Sequence, residues 1–171
     1  MRRSIPIVVV VLAALAVVAA NAKNPPTPPA GTWDLSQTRL TYVGPRGPVR
    51  SAVMKLVPRR ATFAPVCNLA QCTVPTVVTT VGGRRLKFRL TSTSTPAYSG
   101  SRPVATGLRC GGRRLTALVL ITARMIERQQ EPGAALVGTT QVSIGNPGRC
   151  SLFQGKARAV RKTWYTGVLG G

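Results

Sequence analysis

An all-β fold is predicted by three features of the chain. β-Branched residues are frequent from Gly31 onward, apolar and polar side chains alternate with period two, and Gly/Pro-rich breaks recur at intervals of roughly 8 to 15 residues. Helical periodicity is hard to find over the same stretch. Leu86, Phe88 and Leu90 alternate with Lys87 and Arg89, and Leu136, Val142 and Ile144 share one parity. Each such strand is expected to bury one face and wet the other. The breaks, among them Gly82-Gly83, Gly111-Gly112, Pro132-Gly133 and Asn146-Pro147-Gly148, supply the positive or fixed φ that a chain reversal needs. Short connections make sequential strands antiparallel neighbours. The expected architecture is therefore an antiparallel meander of about eight or nine strands closed as an up-and-down barrel, with a two-sheet β-sandwich as the alternative.

Residues 1–22 have the layout of a secretory signal peptide: a basic start at Arg2 and Arg3, an apolar run over 5–20, and a small-x-small site at Ala20-Asn21-Ala22. Cleavage after Ala22 is expected, because the apolar run is shorter than the roughly 20 residues that span a bilayer. Residues 23–30 are rich in proline, which favours extended polyproline II geometry, and they read as a stiff spacer outside the core. Residues 31–171 then make one β-domain, long enough for a single hydrophobic core. Its expected strands are 32–42, 49–56, 61–65, 73–81, 85–92, 99–108, 115–129, 134–144 and 153–165. The segment 115–126 is apolar on both parities through Leu118-Val119-Leu120-Ile121, which marks a central strand, with a helix as the alternative. Trp33, Tyr42, Phe63, Phe88, Phe153, Trp164 and Tyr165 are expected to fill the interior.

An even number of cysteines in an exported domain of this size points to disulfides. Four cysteines allow three pairings. Cys67 and Cys72 lie close in sequence, while Cys110 and Cys150 each border a turn, which favours Cys67–Cys72 with Cys110–Cys150. The C-x2-C spacing and histidine partners typical of zinc are missing, so neither a metal nor a cofactor is expected.

The chain has 24 Lys and Arg against 3 Asp and Glu, no His, and a formal charge of +21. Loss of Arg2 and Arg3 with the signal peptide would leave 22 basic residues against 3 acids, a charge of +19. A Ser-His-Asp arrangement needs a histidine, glycoside hydrolysis needs two facing carboxylates, and paired cysteines leave no thiol nucleophile. The protein is therefore expected not to be an enzyme. The acids Asp34, Glu127 and Glu131 are expected in local ion pairs, for example Glu127 or Glu131 with Arg124 or Arg128. Arginine dominates the basic residues, and its planar fork suits phosphate and carboxylate groups. In a meander alternate turns share one end, and those turns carry Arg59-Arg60, Arg84-Arg85, Arg113-Arg114 and Arg149, with Cys110 and Cys150 beside them. These seven arginines are the candidate polyanion-binding residues. The expected partner of a monomeric domain is an anionic wall polymer, an anionic lipid surface or extracellular nucleic acid.

Gly31-Thr32-Trp33, the run Thr62-Phe63-Ala64-Pro65-Val66-Cys67 leading to Cys72, Cys110-Gly111-Gly112 and the late Cys150 together support a comparison. The pattern resembles a β-rich extracellular domain of secreted and surface-anchored actinobacterial proteins, in which a W-x-F-x-P-x-C segment precedes a second nearby Cys. Ala61 stands where that pattern has Trp. The resemblance implies a secreted location and a β-fold, with no assigned activity. Gly31-x-Trp33 is also similar to the opening of lipocalin-type barrels, which implies a base closed by tryptophan and, as an alternative function, a carrier of small apolar ligands. A passive cell-surface structural module is the remaining alternative.

Overall fold

The computed structural model describes residues 26–68, 71–92, 96–127, 134–148 and 150–170; the expected signal peptide, Arg128, Glu131 and Arg149 lie outside them. The alternating segments form β1 (Gly31–Val43), β2 (Pro58–Phe63), β3 (Val66–Cys67), β4 (Cys72–Thr80), β5 (Arg85–Ser92), β6 (Tyr98–Cys110), β7 (Arg113–Glu127), β8 (Ala134–Gly145) and β9 (Arg158–Leu169). One helix, α1 (Pro48–Lys55), lies between β1 and β2. Every strand pairing is antiparallel, and β2 pairs with both β1 and β4, so the sheet closes in the order β1-β2-β4-β5-β6-β7-β8-β9 and back to β1. The molecule is an eight-stranded up-and-down barrel, with β3 as a short extra strand on β4. Closure removes the exposed sheet edges that an open sandwich would keep.

Alternation in the sequence becomes the inside and outside of the barrel. Leu86, Phe88 and Leu90 of β5, Leu115 to Ala123 in steps of two on β7, and Leu136, Val142 and Ile144 of β8 are all buried. An eight-stranded barrel has an interior that side chains just fill, and Trp33, Phe63, Tyr98, Phe153 and Tyr165 supply the bulk here. Tyr98 had no place among the expected core aromatics, whereas Trp164 faces outward. The Tyr165 ring occupies the space a side chain at position 138 would take: a Cβ on Gly138 would sit 2.4 Å from its Cζ and 2.1 Å from the Thr122 carbonyl oxygen. The same carbonyl accepts the Tyr165 hydroxyl at 2.6 Å, and full burial raises the pKa of that phenol.

Three segments depart from the sequence reading. Residues 49–56, expected as a strand, form α1: Gly47 (φ 75°) turns the chain, Pro48 opens the helix, and the buried Val49, Ala52, Val53 and Leu56 fall at i, i+3, i+4 and i+7. Residues 153–165, expected as one strand, begin with a 3-10 turn at Ser151–Phe153 that inserts Phe153 into the core before β9 starts. Gln154 (φ 48°) and Gly155 (φ 78°) break the extension. The described part of the proline-rich segment, 26–30, packs against the barrel instead of standing clear of it. Pro29 is buried, the Pro26 carbonyl accepts the Tyr98 hydroxyl at 2.9 Å, and the Ala30 carbonyl accepts Trp33 Nε1 at 2.7 Å. Proline cannot join a ladder, but its carbonyl remains a full acceptor.

These pieces close the two ends. At the lower end, where β1 begins, the proline segment covers Trp33 and Tyr98, and the Cys67–Cys72 disulfide holds the β3–β4 loop. Across the upper end, where β1 finishes, α1 packs on β6, β8 and β9 with its apolar face inward. Backbone bonds from Val81 N to the Val57 carbonyl and from Gly82 N to the Lys55 carbonyl stitch the helix exit to the β4–β5 turn.

Candidate functional site

Strand direction decides where the arginines go. Since β4, β6 and β8 all run upward, their connections to β5, β7 and β9 lie at the upper end around α1. Arg84 ends the first of these turns and Arg85 opens β5, Arg113 and Arg114 follow the second, and all four are exposed. The Cys110–Cys150 disulfide ties the second connection to the third across a sequence separation of 40. Arg59, also exposed, follows the α1 exit that is bonded to the β4–β5 turn.

The upper end holds more cations than the sequence reading gathered there. Arg46 lies on the loop entering α1, Arg50 and Lys55 on the outer face of α1, Arg109 ahead of the β6–β7 turn, and Lys156 and Arg158 on the approach to β9. All are exposed. The missed signal is the helical spacing of Val49, Ala52, Val53 and Leu56, which places Arg50 on the opposite, wet face.

Two of the candidate arginines have structural tasks. Arg60 belongs to the barrel wall, where it pairs with Asp34 across β1–β2 through Nε at 2.6 Å and Nη2 at 3.1 Å. The guanidinium holds the Asp34 carboxyl below its ordinary range and is itself raised. Arg84 donates through Nη1 to the Ala105 carbonyl, and Arg102 donates to the Lys87 carbonyl at 2.8 Å. The first ties the β4–β5 turn to β6 and the second bridges β5 and β6, whose ladder consists of Thr91↔Ser99 and Ser92↔Tyr98. Arg149 lies outside the described residues, as do Glu131, Arg128 and the Glu127 side chain on which the expected ion pairs depend.

One arginine went unnoticed because strand parity, not composition, defines it. Arg161 shares the inward parity of Ala159, Thr163 and Tyr165 on β9 and is 4% exposed. It donates to the Met54 thioether from beneath α1, while its Nε has no partner among the described residues. Burial lowers its pKa to about 10, and the nearby charge of Arg50 adds to the effect. Arg50 in turn lies 5.8 Å from the Tyr42 ring centroid, and the Tyr42 hydroxyl donates to the Pro45 carbonyl.

The electrostatic cost of this crowding is modest. Two exposed charges about 10 Å apart in water repel by roughly 0.4 kcal/mol, and physiological salt screens them further. Their summed potential is nevertheless large enough to attract an anion and raise its encounter rate. Among the described residues no three of His, Cys, Asp and Glu come together to hold a metal ion, and no helix is long and apolar enough to cross a membrane. No protein-family model, curated protein or solved structure matches the chain.

Proposed function

We propose that the chain is an exported, non-enzymatic barrel that binds polyanionic envelope or extracellular components through its arginine-rich upper end. The observation that carries this reading is the concentration of exposed cations at one end, beyond those spread over the barrel wall. Exposed cations occupy α1 and the upper connections, whereas Asp34 lies at the start of β1 and Glu127 at the end of β7, both toward the lower end. Arginine forks can each engage two oxygens of a phosphate or carboxylate, so successive groups along a polymer could be held at once. Two disulfides support a setting in which thiols are oxidised. The interior positions carry bulky side chains, which favours a binding role for the surface over one for a central cavity.

Counterion release supplies the test. Titration of the protein with long-chain polyphosphate should give an affinity that falls steeply with salt, by about 1,000-fold between 50 and 200 mM if six or so phosphates are neutralised. Affinity independent of salt, with uptake of an apolar dye instead, would replace this reading with that of a carrier.

A further inference from the structure

A groove of about 460 Å³ crosses the outer wall of the barrel over β7, β8 and β9, away from the upper connections. Strand register builds it. Thr122, Thr139, Trp164 and Arg39 form one outward row across β7, β8, β9 and β1. Trp164 and Pro96, of the β5–β6 connection, are among its lining residues.

Three chemistries meet here. The indole of Trp164 is half-buried and outward, with the Arg39 guanidinium carbon 5.2 Å and Lys162 Nζ 5.0 Å from its ring centroid. Hydroxyls line the groove from Thr38, Thr122, Thr139 and Thr166. Thr122 and Thr139 bond each other at 2.7 Å, and the Thr139 backbone N–H donates to Thr122 Oγ1 at 3.1 Å. The mutual bond uses one hydroxyl hydrogen of the pair, leaving the other to donate to a ligand. Arg124 supplies a third cation, and no carboxylate lines the groove among the described residues.

We propose that this groove binds an acidic saccharide unit of a polymer. The face of a sugar ring carries C–H dipoles that the negative face of an indole attracts, its edge carries hydroxyls that the threonines can pair, and its carboxylate meets Arg39, Lys162 or Arg124. A nucleobase would stack on the same ring and pair with the same hydroxyls, so displacement of oligogalacturonate from the groove by a single-stranded oligonucleotide would overturn the assignment. The site is on a different wall from the upper arginines, so the two can be tested separately.

Tryptophan emission reads the site directly. The chain has two tryptophans, and Trp33 is 2% exposed in the core. Oligogalacturonate should quench or shift the emission saturably, while a neutral cello-oligosaccharide and polyphosphate should leave it unchanged. By calorimetry Trp164→Ala should weaken oligogalacturonate binding at least tenfold, and Thr139→Val, which retains the indole and the fold, should weaken it several-fold with polyphosphate binding intact. The proposal is overturned if oligogalacturonate leaves the emission unaltered, if the neutral sugar binds equally well, or if Thr139→Val binds as the wild type does. It is also overturned if binding survives Trp164→Ala and is lost when Arg85, Arg113 and Arg114 are replaced.

Discussion

Replacing Arg161 by Met should stabilise the barrel. The residue is 4% exposed beneath α1, its Nε has no partner among the described residues, and its Nη1 donates to a thioether, a weak acceptor. Burial lowers its pKa from the ordinary guanidinium range to about 10, a shift equivalent to roughly 3 kcal/mol of penalty on the charged form. Because the folded value lies below the unfolded one, that penalty is fully present at neutral pH and is relieved only as pH rises through about 10. Methionine keeps most of the volume without the charge, and exchanges of buried charge for apolar groups of similar size commonly gain about 1–4 kcal/mol. We expect Arg161→Met to gain about 1–3 kcal/mol in urea unfolding, with Tm rising by about 3 °C per kcal/mol and the difference flat from pH 5 to about 9. A loss of stability of more than about 1 kcal/mol would refute the reasoning, since it would mean that the charge has a stabilising partner.

Other perturbations test the scaffold. Gly138→Ala would drive a Cβ to 2.1 Å from the Thr122 carbonyl oxygen and 2.3 Å from the Tyr165 hydroxyl, so thermal denaturation should show a loss of about 3 kcal/mol or more. Removing the Cys110–Cys150 disulfide with serines should cost about 4 kcal/mol, against about 2 for Cys67–Cys72, because its loop is the longer; equal losses in urea unfolding would contradict the loop-length account. Asp34→Asn should lower Tm slightly at neutral pH. The Asp34 carboxyl is depressed by Arg60, so its contribution is present above the ordinary carboxylate range and lost as pH falls through the lowered value. The variant and the wild type should therefore converge in acid, and a gap that persists there would count against the ion pair.

Alternation and cysteine position made most of the barrel legible in the sequence. Leu86-x-Phe88-x-Leu90 states which face is inside without reference to any partner strand, and Cys110 and Cys150 pair because consecutive hairpins return their turns to one end. The misreading of 49–56 has a physical origin. Val49, Ala52, Val53 and Leu56 carry a helical period, but over eight residues valine-rich helix and strand are hard to separate, and what favours the helix is burial across the barrel mouth. The clustering of Arg84, Arg85, Arg113 and Arg114 survives this error because it depends only on β4 to β7 alternating in direction. Arg60 was drawn into the cluster because a residue's number says nothing of its cross-strand neighbour, and Asp34 lies opposite it. Arg161 and Trp164 illustrate the same limit: only the register of β9 separates an arginine inside the barrel from a tryptophan outside it.

The central claim is that the position of the charge, rather than its amount, makes the binding surface. Its most direct test compares two variants that lose the same three positive charges. One replaces Arg85, Arg113 and Arg114 by serine at the upper end, sparing Arg84 because it ties the β4–β5 turn to β6; the other replaces Lys87, Arg89 and Arg124 on the barrel wall. Polyphosphate affinity measured at about 0.1 M salt should fall at least tenfold more for the first than for the second, with a shallower salt slope. Equal losses in the two variants would contradict the account and reduce the upper arginines to part of a uniformly basic surface.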